Sequence, residues 1–477
     1  MNEDGTPIRT RAWTPAVRAL ALLTAFAVAA VGGGPAGVTP ARAQDASLRG
    51  MPIVRDTEIE QLLRDYATPI LRAAGLSKQN VRVLVLGDRS FNAFVMDGRH
   101  IFINAGALFD AKTPNEIIGV FAHETGHLAG GHLMKLREQL ATAQTASIIA
   151  MLAGVGAMVA GSRAGAGGDI GMAAIMAPQS AIQRSLLAYV RTQEDQADHA
   201  GVKFLTATGQ SPKGMVELFT RLTNEALFNS RYIDPYLQTH PLPAERVAAL
   251  TAQAKVSPYW DRKDSPELQL RHDMMRAKLS GFLDRADTVA RRYPLGDHSL
   301  PARYARAISA YRHSDLRRAL TLMDELIQAQ PNNPYFYELK GQALLEGGRP
   351  ADAVAPLRRA TQLSQRAPLI EIMLAQALIA TNNKAVAEEA AELLRYSISR
   401  EPDVPEAYSQ LAMAYGRKGD LAQADLASAQ AAFSRGDLKT ARQLATRAKT
   451  RLKIGSPAWV RADDIVNTKP PRSTNNN

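Results

Sequence analysis

The sequence predicts two unlike parts in one chain: an α+β domain, mostly helical with a small sheet, followed by an all-α solenoid of stacked helix pairs. Three features point there. The 477 residues exceed what a single hydrophobic core usually organises. Short strand-like runs between residues 81 and 108 precede long segments of helical periodicity. From about residue 300, alanines recur at 319, 353, 390 and 424, a beat close to 34 residues within helix-length segments.

The composition is that of a globular protein able to bury a core, with 46% hydrophobic and 22% charged residues. The net charge of +11 is spread along the chain and not gathered into a stripe, so no nucleic-acid partner is expected. Residues 1–43 stand apart. Arg9, Arg11 and Arg18 precede the apolar run 19–31, and Ala41 and Ala43 occupy the small-residue positions ahead of Gln44. That order predicts a secretory signal peptide cut after Ala43, and hence a periplasmic protein. The run is shorter than the ~20 residues a membrane span needs, which argues against an uncleaved anchor. The absence of cysteine fits export without disulfides and excludes thiolate ligands and a cysteine nucleophile.

Residues 44–255 should form the first folded domain. Apolar spacing predicts a helix over 58–75, then strands over 81–88, 91–97 and 100–108, divided by turn signals at Gly87-Asp88 and Asp97-Gly98. A helix follows from Pro114, with Thr113 as N-cap and Glu116 completing a capping box. It is expected to run on through His132 towards residue 140. Residues 145–161 and 170–178 are apolar, with a glycine-rich linker between them. Both are short for a span, and they predict a buried hairpin or a mobile loop, or else peripheral membrane contact through 145–178. A long helix resumes near Gln183 and ends before Gly209 and Pro212.

After a helical connector over 256–300, residues 301–453 carry the repeating helix pairs. Around the recurring alanines other positions repeat: Gly341 before Ala353 with Leu357 and Ala360 after it, and Leu411, Ala412 and Tyr415 before Ala424. Pro331 and Pro402 close pairs. This resembles the tetratricopeptide repeat, whose small residues let two helices pack closely into a concave solenoid. Residues 436–452 read as one more helix capping the last repeat, and 454–477 as a tail, partly disordered.

The chemistry is concentrated in the stretch 121–135, which holds three of the nine histidines. His123 and His127 form H-E-x-x-H with Glu124. On a helix the two imidazoles project from one face and can share an ion, while Glu124 reaches a water beside it. A catalytic zinc site needs a third protein ligand. His132 falls one residue short of the third histidine found in one class of zincins. On a continuing helix it would point away from His123, which leaves it a structural residue. Glu194 and Asp198, one turn apart on the second long helix, suit a ligand and a carboxylate that orients a ligating imidazole. With Asp195 adjacent, the same spacing also suits a solvated acidic face.

H-E-T-G-H on an apolar helix, an E-x-x-A-D helix some 65 residues later and "THPLPAER" over 239–246 together resemble the zinc metallopeptidase family of the CAAX prenyl proteases and HtpX, here in an exported form with C-terminal tetratricopeptide repeats. The resemblance implies a zincin-like metalloprotease domain with one Zn2+ per chain, held by His123, His127 and Glu194. Glu124 would be the general base, and Asp198 would orient a ligating histidine. It implies that His240 can take the fourth position on the metal and close the resting enzyme. Arg246 would stabilise the oxyanion or hold its loop by pairing with a carboxylate. Residues 91–108, with Asn92-Ala93 and Asn104-Ala105-Gly106 in matching places, would be a strand pair beside the site onto whose edge an extended substrate adds. The implied activity is a zinc metalloendopeptidase acting on unfolded or misassembled proteins. By the same resemblance the clients and partners would be outer-membrane beta-barrel proteins and their assembly machinery, docked through the repeats. The alternatives are a chaperone or adaptor with a closed zinc site, and a membrane-embedded protease, which would need 145–178 to span.

Overall fold

The structure, a computed structural model, describes residues 51–145, 167–228, 235–313 and 315–468. The expected signal peptide, nearly all of the apolar stretch 145–161 and the last residues of the tail lie outside them. Four strands form one sheet in the order β1-β2-β4-β3: β1 (Ile53–Val54), β2 (Arg82–Leu86), β3 (Ala93–Val95) and β4 (His100–Asn104). β2 and β4 run parallel, and β1 and β3 flank them antiparallel. β4 is buried along its whole length, as a central strand of apolar alternation should be. The third predicted strand is shorter than expected. It stops at Asn104, because Ala105–Asp110 turns into helix α2, whose Gly106 passes the Arg89 and Ser90 carbonyls too closely for any side chain. The strand β1 was not anticipated; two residues carry no periodicity.

Against the sheet lie α1 (Thr57–Ala73) and α3 (Pro114–Gly130). α3 starts as its sequence predicts, with Pro114 in the first turn and the Thr113 hydroxyl accepting from the Glu116 N–H. The Glu116 carboxylate does not close the capping box. It accepts from the Lys112 N–H at 3.1 Å and pairs with Arg221 at 2.6 Å. The helix does not continue through residue 132. Gly131 sits at φ +62°, a left-handed C-cap, and a new helix, α4, occupies 132–145.

α5 (Gly167–Ala207) is longer than predicted. It takes in residues 170–178 and also Gly167 and Gly168 from the stretch read as a linker, since helix-forming Ala and Met continue the run. No helix among the described residues is long and apolar enough to cross a membrane. α3 and α5 cross at Gly126, where an added Cβ would stand 2.8 Å from the Ala197 carbonyl oxygen and 2.9 Å from its Cα. Gly126→Ala is therefore expected to cost about 1–3 kcal/mol by forcing these helices apart. Denaturant unfolding of the full chain measures it, and an unchanged midpoint would refute the close crossing.

α6 (Lys213–Phe228), α7 (Pro235–Thr239) and α8 (Ala244–Ala254) complete the first core around Phe121, Leu205, Phe219 and Leu250. α9 (Pro266–Leu283) belongs to two cores: Met275 and Leu279 pack into the first, Met274 and Ala277 into that of the repeats. Helix pairs then follow: Leu300–Arg312 with Leu316–Ala329, Pro334–Glu346 with Pro350–Leu363, Pro368–Ala380 with Ala387–Arg400, and Pro405–Lys418 with Leu421–Ser434. Ala319, Ala353 and Ala390 are fully buried, at the close approaches the repeat needs. The helix Leu438–Lys449 does not end the solenoid. Pro457–Asn467, placed by sequence in the tail, pairs with it through Ala458, Ala462 and Ile465. Two ion-pair groups join the halves. Buried Lys278 reaches Asp56 at 2.7 Å and Glu58 at 3.1 Å, while Glu401 accepts Arg82 at 2.9 Å and Arg55 at 3.2 Å.

Candidate metal centre

Four side chains from three elements converge behind the sheet. α3 supplies His123 and His127, α5 supplies Glu194, and the turn after α7 supplies His240. Each offers one ligand atom, and these atoms lie within 4.8 Å of one another. The Nε2 atoms of His123 and His127 are 3.1 Å apart, and each is 3.4 Å from a Glu194 oxygen. His240 Nδ1 is 3.1 Å from both Glu194 oxygens and 3.4 Å from His123 Nε2. Ligands about 2.0–2.1 Å from a tetrahedral zinc stand roughly 3.3 Å from each other, so the spacing fits that ion. Nitrogen and carboxylate donors fit it chemically as well.

The rings are fixed from behind. His123 is fully buried, its Nδ1 is 2.9 Å from Asp198 Oδ1, and its ring stands perpendicular to that of Phe219 with centroids 5.6 Å apart. An Nε2 that faces a metal requires the proton on Nδ1, and Asp198 accepts it there. His240 is placed by its N–H, which donates to the Tyr236 carbonyl at 2.7 Å, and by the Tyr236 ring, 4.7 Å away. Arg246, at the start of α8, donates to Asp198 through Nε at 2.7 Å and Nη2 at 2.9 Å. Its Nη1 donates to the Pro241 carbonyl at 2.8 Å and lies 2.8 Å from Glu194. Of the two readings open for Arg246, this geometry favours the one that holds the loop, since the guanidinium is committed to Asp198, Glu194 and Pro241.

Electrostatics divide the acids. Burial acts to raise Glu194, but the charges and hydrogen bonds of His240 and His123 outweigh it and hold the carboxyl well below its usual range. Burial likewise acts against Asp198, which His123 and Arg246 keep ionised with a lowered pKa. Glu124 is the opposite case, because burial raises its pKa more than the neighbouring His240 and His123 lower it. Among the described residues neither of its oxygens has a hydrogen-bond partner, and the nearest His240 nitrogen is 3.6 Å away. Two partnerless carboxylate oxygens on a fully buried side chain cost stability and are not explained by packing. Burial works against protonation of both histidines of the motif. Hydrogen bonds to Asp198 and Glu194 nevertheless raise His123 to about 9, whereas burial and the adjacent His123 charge push His127 well down.

Every residue singled out by sequence thus lies at this centre: His123, Glu124, His127, Glu194, Asp198, His240 and Arg246. Two neighbours were missed. Tyr236 left no trace in any spacing. His132 was set aside because a continuing helix would carry it away; with α3 ended at Gly131, its ring folds back and its Nδ1 lies 3.0 Å from His127 Nδ1.

Comparison with known proteins gives two family matches: Peptidase family M48 over residues 54–254, and Tetratricopeptide repeat over 304–368. The chain is similar to the Beta-barrel assembly-enhancing protease of Escherichia coli (strain K12), 24% identical over 435 residues, covering 87% of this chain and 84% of that one. It is 26% identical over 291 residues to the Putative beta-barrel assembly-enhancing protease of Vibrio cholerae, a match that spans 60% of this chain and only 59% of the relative. Metalloprotease LoiP of E. coli (strain K12) is 31% identical over 183 residues, 38% of this chain and 66% of that protein.

Proposed function

Because residues 54–254 form a domain of peptidase family M48, which makes the chain a metalloendopeptidase, we propose that it works as a zinc-dependent endopeptidase of H-E-x-x-H type. The observation that carries this reading is the meeting of His123, His127, Glu194 and His240 beside a carboxylate that nothing else occupies. His123, His127 and Glu194 would hold one Zn2+ per chain. When bound, zinc supplies Lewis-acid polarisation of a scissile carbonyl and lowers the pKa of water at the site towards ~7. Glu124 accepts the proton of the attacking water and delivers it to the leaving amine. Asp198 keeps His123 in the tautomer that presents Nε2, and Arg246 binds the His240 loop to the two acids. β3 is an edge of the sheet and packs beside α3, so an extended chain adding to it would run past the site.

His240 is the proposed gate. It is buried among the other donors, where it would take the position a substrate carbonyl or water needs. His240→Ala should retain about one zinc per chain and cleave casein faster than wild type; slower cleavage would overturn the gate. The names of the relatives and the leader-like residues 1–43 support a periplasmic enzyme that removes misfolded or stalled outer-membrane proteins and assists their assembly, with the repeats docking client or machinery. The closed arrangement around His240 also supports a second role as chaperone or adaptor of the same clients. Cleavage and client capture, measured separately on one preparation, distinguish the two.

A further inference from the structure

Of the two motif histidines, His123 has a carboxylate behind it in Asp198, and among the described residues His127 has none. What stands behind His127 is another imidazole. His132 Nδ1 lies 3.0 Å from His127 Nδ1, with the rings edge to face and centroids 5.0 Å apart. Three features build this contact. Gly131 adopts φ +62°, which ends α3 and reverses the chain so that residue 132 comes back under the last turn. Gly130 leaves the space the ring fills: a Cβ there would stand 2.2 Å from His132 Nε2. α5 grips the residue from the other side, as the Gln193 amide donates to the His132 carbonyl at 3.2 Å.

A histidine that ligates through Nε2 must carry its proton on Nδ1, and that N–H needs an acceptor. Resting on the zinc reading above, we infer that His132 is a positioning residue for the metal: its Nδ1 accepts the His127 Nδ1–H, fixing the tautomer and ring plane in which His127 presents Nε2, and Gly130-Gly131 serve to bring it there. The chain of contacts runs from Gln193 through His132 to His127. α5 therefore contributes a ligand and the support of both motif histidines, Asp198 for one and Gln193 through His132 for the other. The supports differ in kind. An anion behind His123 increases its donation to the metal, whereas a neutral ring behind His127 orients it without adding charge.

The test uses the full chain in three variants, with zinc affinity read by competition against a chromophoric chelator and folding read by thermal melting in EDTA. His132→Phe keeps the bulk and loses the acceptor, so zinc should bind about 10–100-fold more weakly. His132→Asn can place an amide oxygen near the former Nδ1 and should recover most of the affinity. Gly130→Ala keeps His132 but displaces its ring, and should weaken zinc binding as His132→Phe does. A folded His132→Phe with wild-type affinity would overturn the proposal. So would equal losses in His132→Phe and His132→Asn accompanied by matching drops in EDTA melting temperature, the mark of a purely structural role. If His132→Phe does not fold, His132→Asn and Gly130→Ala decide, and unaltered affinity in Gly130→Ala overturns it. Wild-type protein that takes up no zinc would remove the site reading itself, an outcome distinct from the loss of His132's role alone.

Discussion

Glu124→Gln will lower peptide hydrolysis by about 10²–10⁴-fold, the range general base catalysis commands, while zinc content and capture of unfolded client stay as in wild type. The same substitution has an opposite effect on the fold. Glu124 is fully buried, its pKa is raised above the ordinary 4.5 chiefly by burial, and both oxygens lack partners, so the chain loses stability to keep it. A raised carboxyl binds its proton more tightly folded than unfolded. Its contribution is thus most favourable below pH 4.5 and worsens as pH climbs towards the folded value. In EDTA the variant should melt at or above wild type, with a wider margin at pH 8 than at pH 5. Cleavage by Glu124→Gln at the wild-type rate would remove the general base, and a lower melting temperature at pH 8 would contradict the account of the buried acid.

Arg246→Leu should be among the most damaging single changes in the first domain. Among the described residues Arg246 is the sole lysine or arginine paired with Asp198 or Glu194, and all three side chains are at most 5% exposed. Removing it leaves two buried carboxylates facing only the imidazoles of His123, His127 and His240 among the described residues and releases the Pro241 carbonyl. Breaking a buried pair in this way costs about 3–5 kcal/mol. A divalent cation compensates part of that charge, so the loss should be larger in EDTA than with zinc. Arg246→Lys keeps the charge but cannot reproduce the two-nitrogen contact with Asp198, and it should fall between. Denaturant unfolding with and without metal measures all three, and a loss below about 1 kcal/mol for Arg246→Leu in EDTA would refute the charge argument.

The parts of this centre that sequence disclosed are those a helix makes periodic. His123 with His127, and Glu194 with Asp198, are each four residues apart, and Thr113-Pro114 marks where the first of these helices begins. The distance between the two helices has no such record, and only the family resemblance joined them beforehand. Gly130-Gly131 was ambiguous for a physical reason, since two glycines inside a helical run are tolerated at a cost or end it, depending on contacts the sequence does not display. Here the His132 ring and Gln193 of α5 decide for an ending. The last helix was readable and was overlooked. Ser456 and Pro457 form a start signal, and Ala458, Ala462 and Ile465 keep helical spacing, but the polar residues after 467 coloured the whole segment. β1 and the early end of β4 follow from pairing and steric limits that appear only in three dimensions.

The division between the halves does not fall in a linker; it passes lengthwise through α9, which gives alternate faces to two hydrophobic interiors. A helix held on both sides has little slack. A load borne by the solenoid would reach the first domain directly through it, at Met275 and Leu279 and at the Lys278 contacts with Asp56 and Glu58.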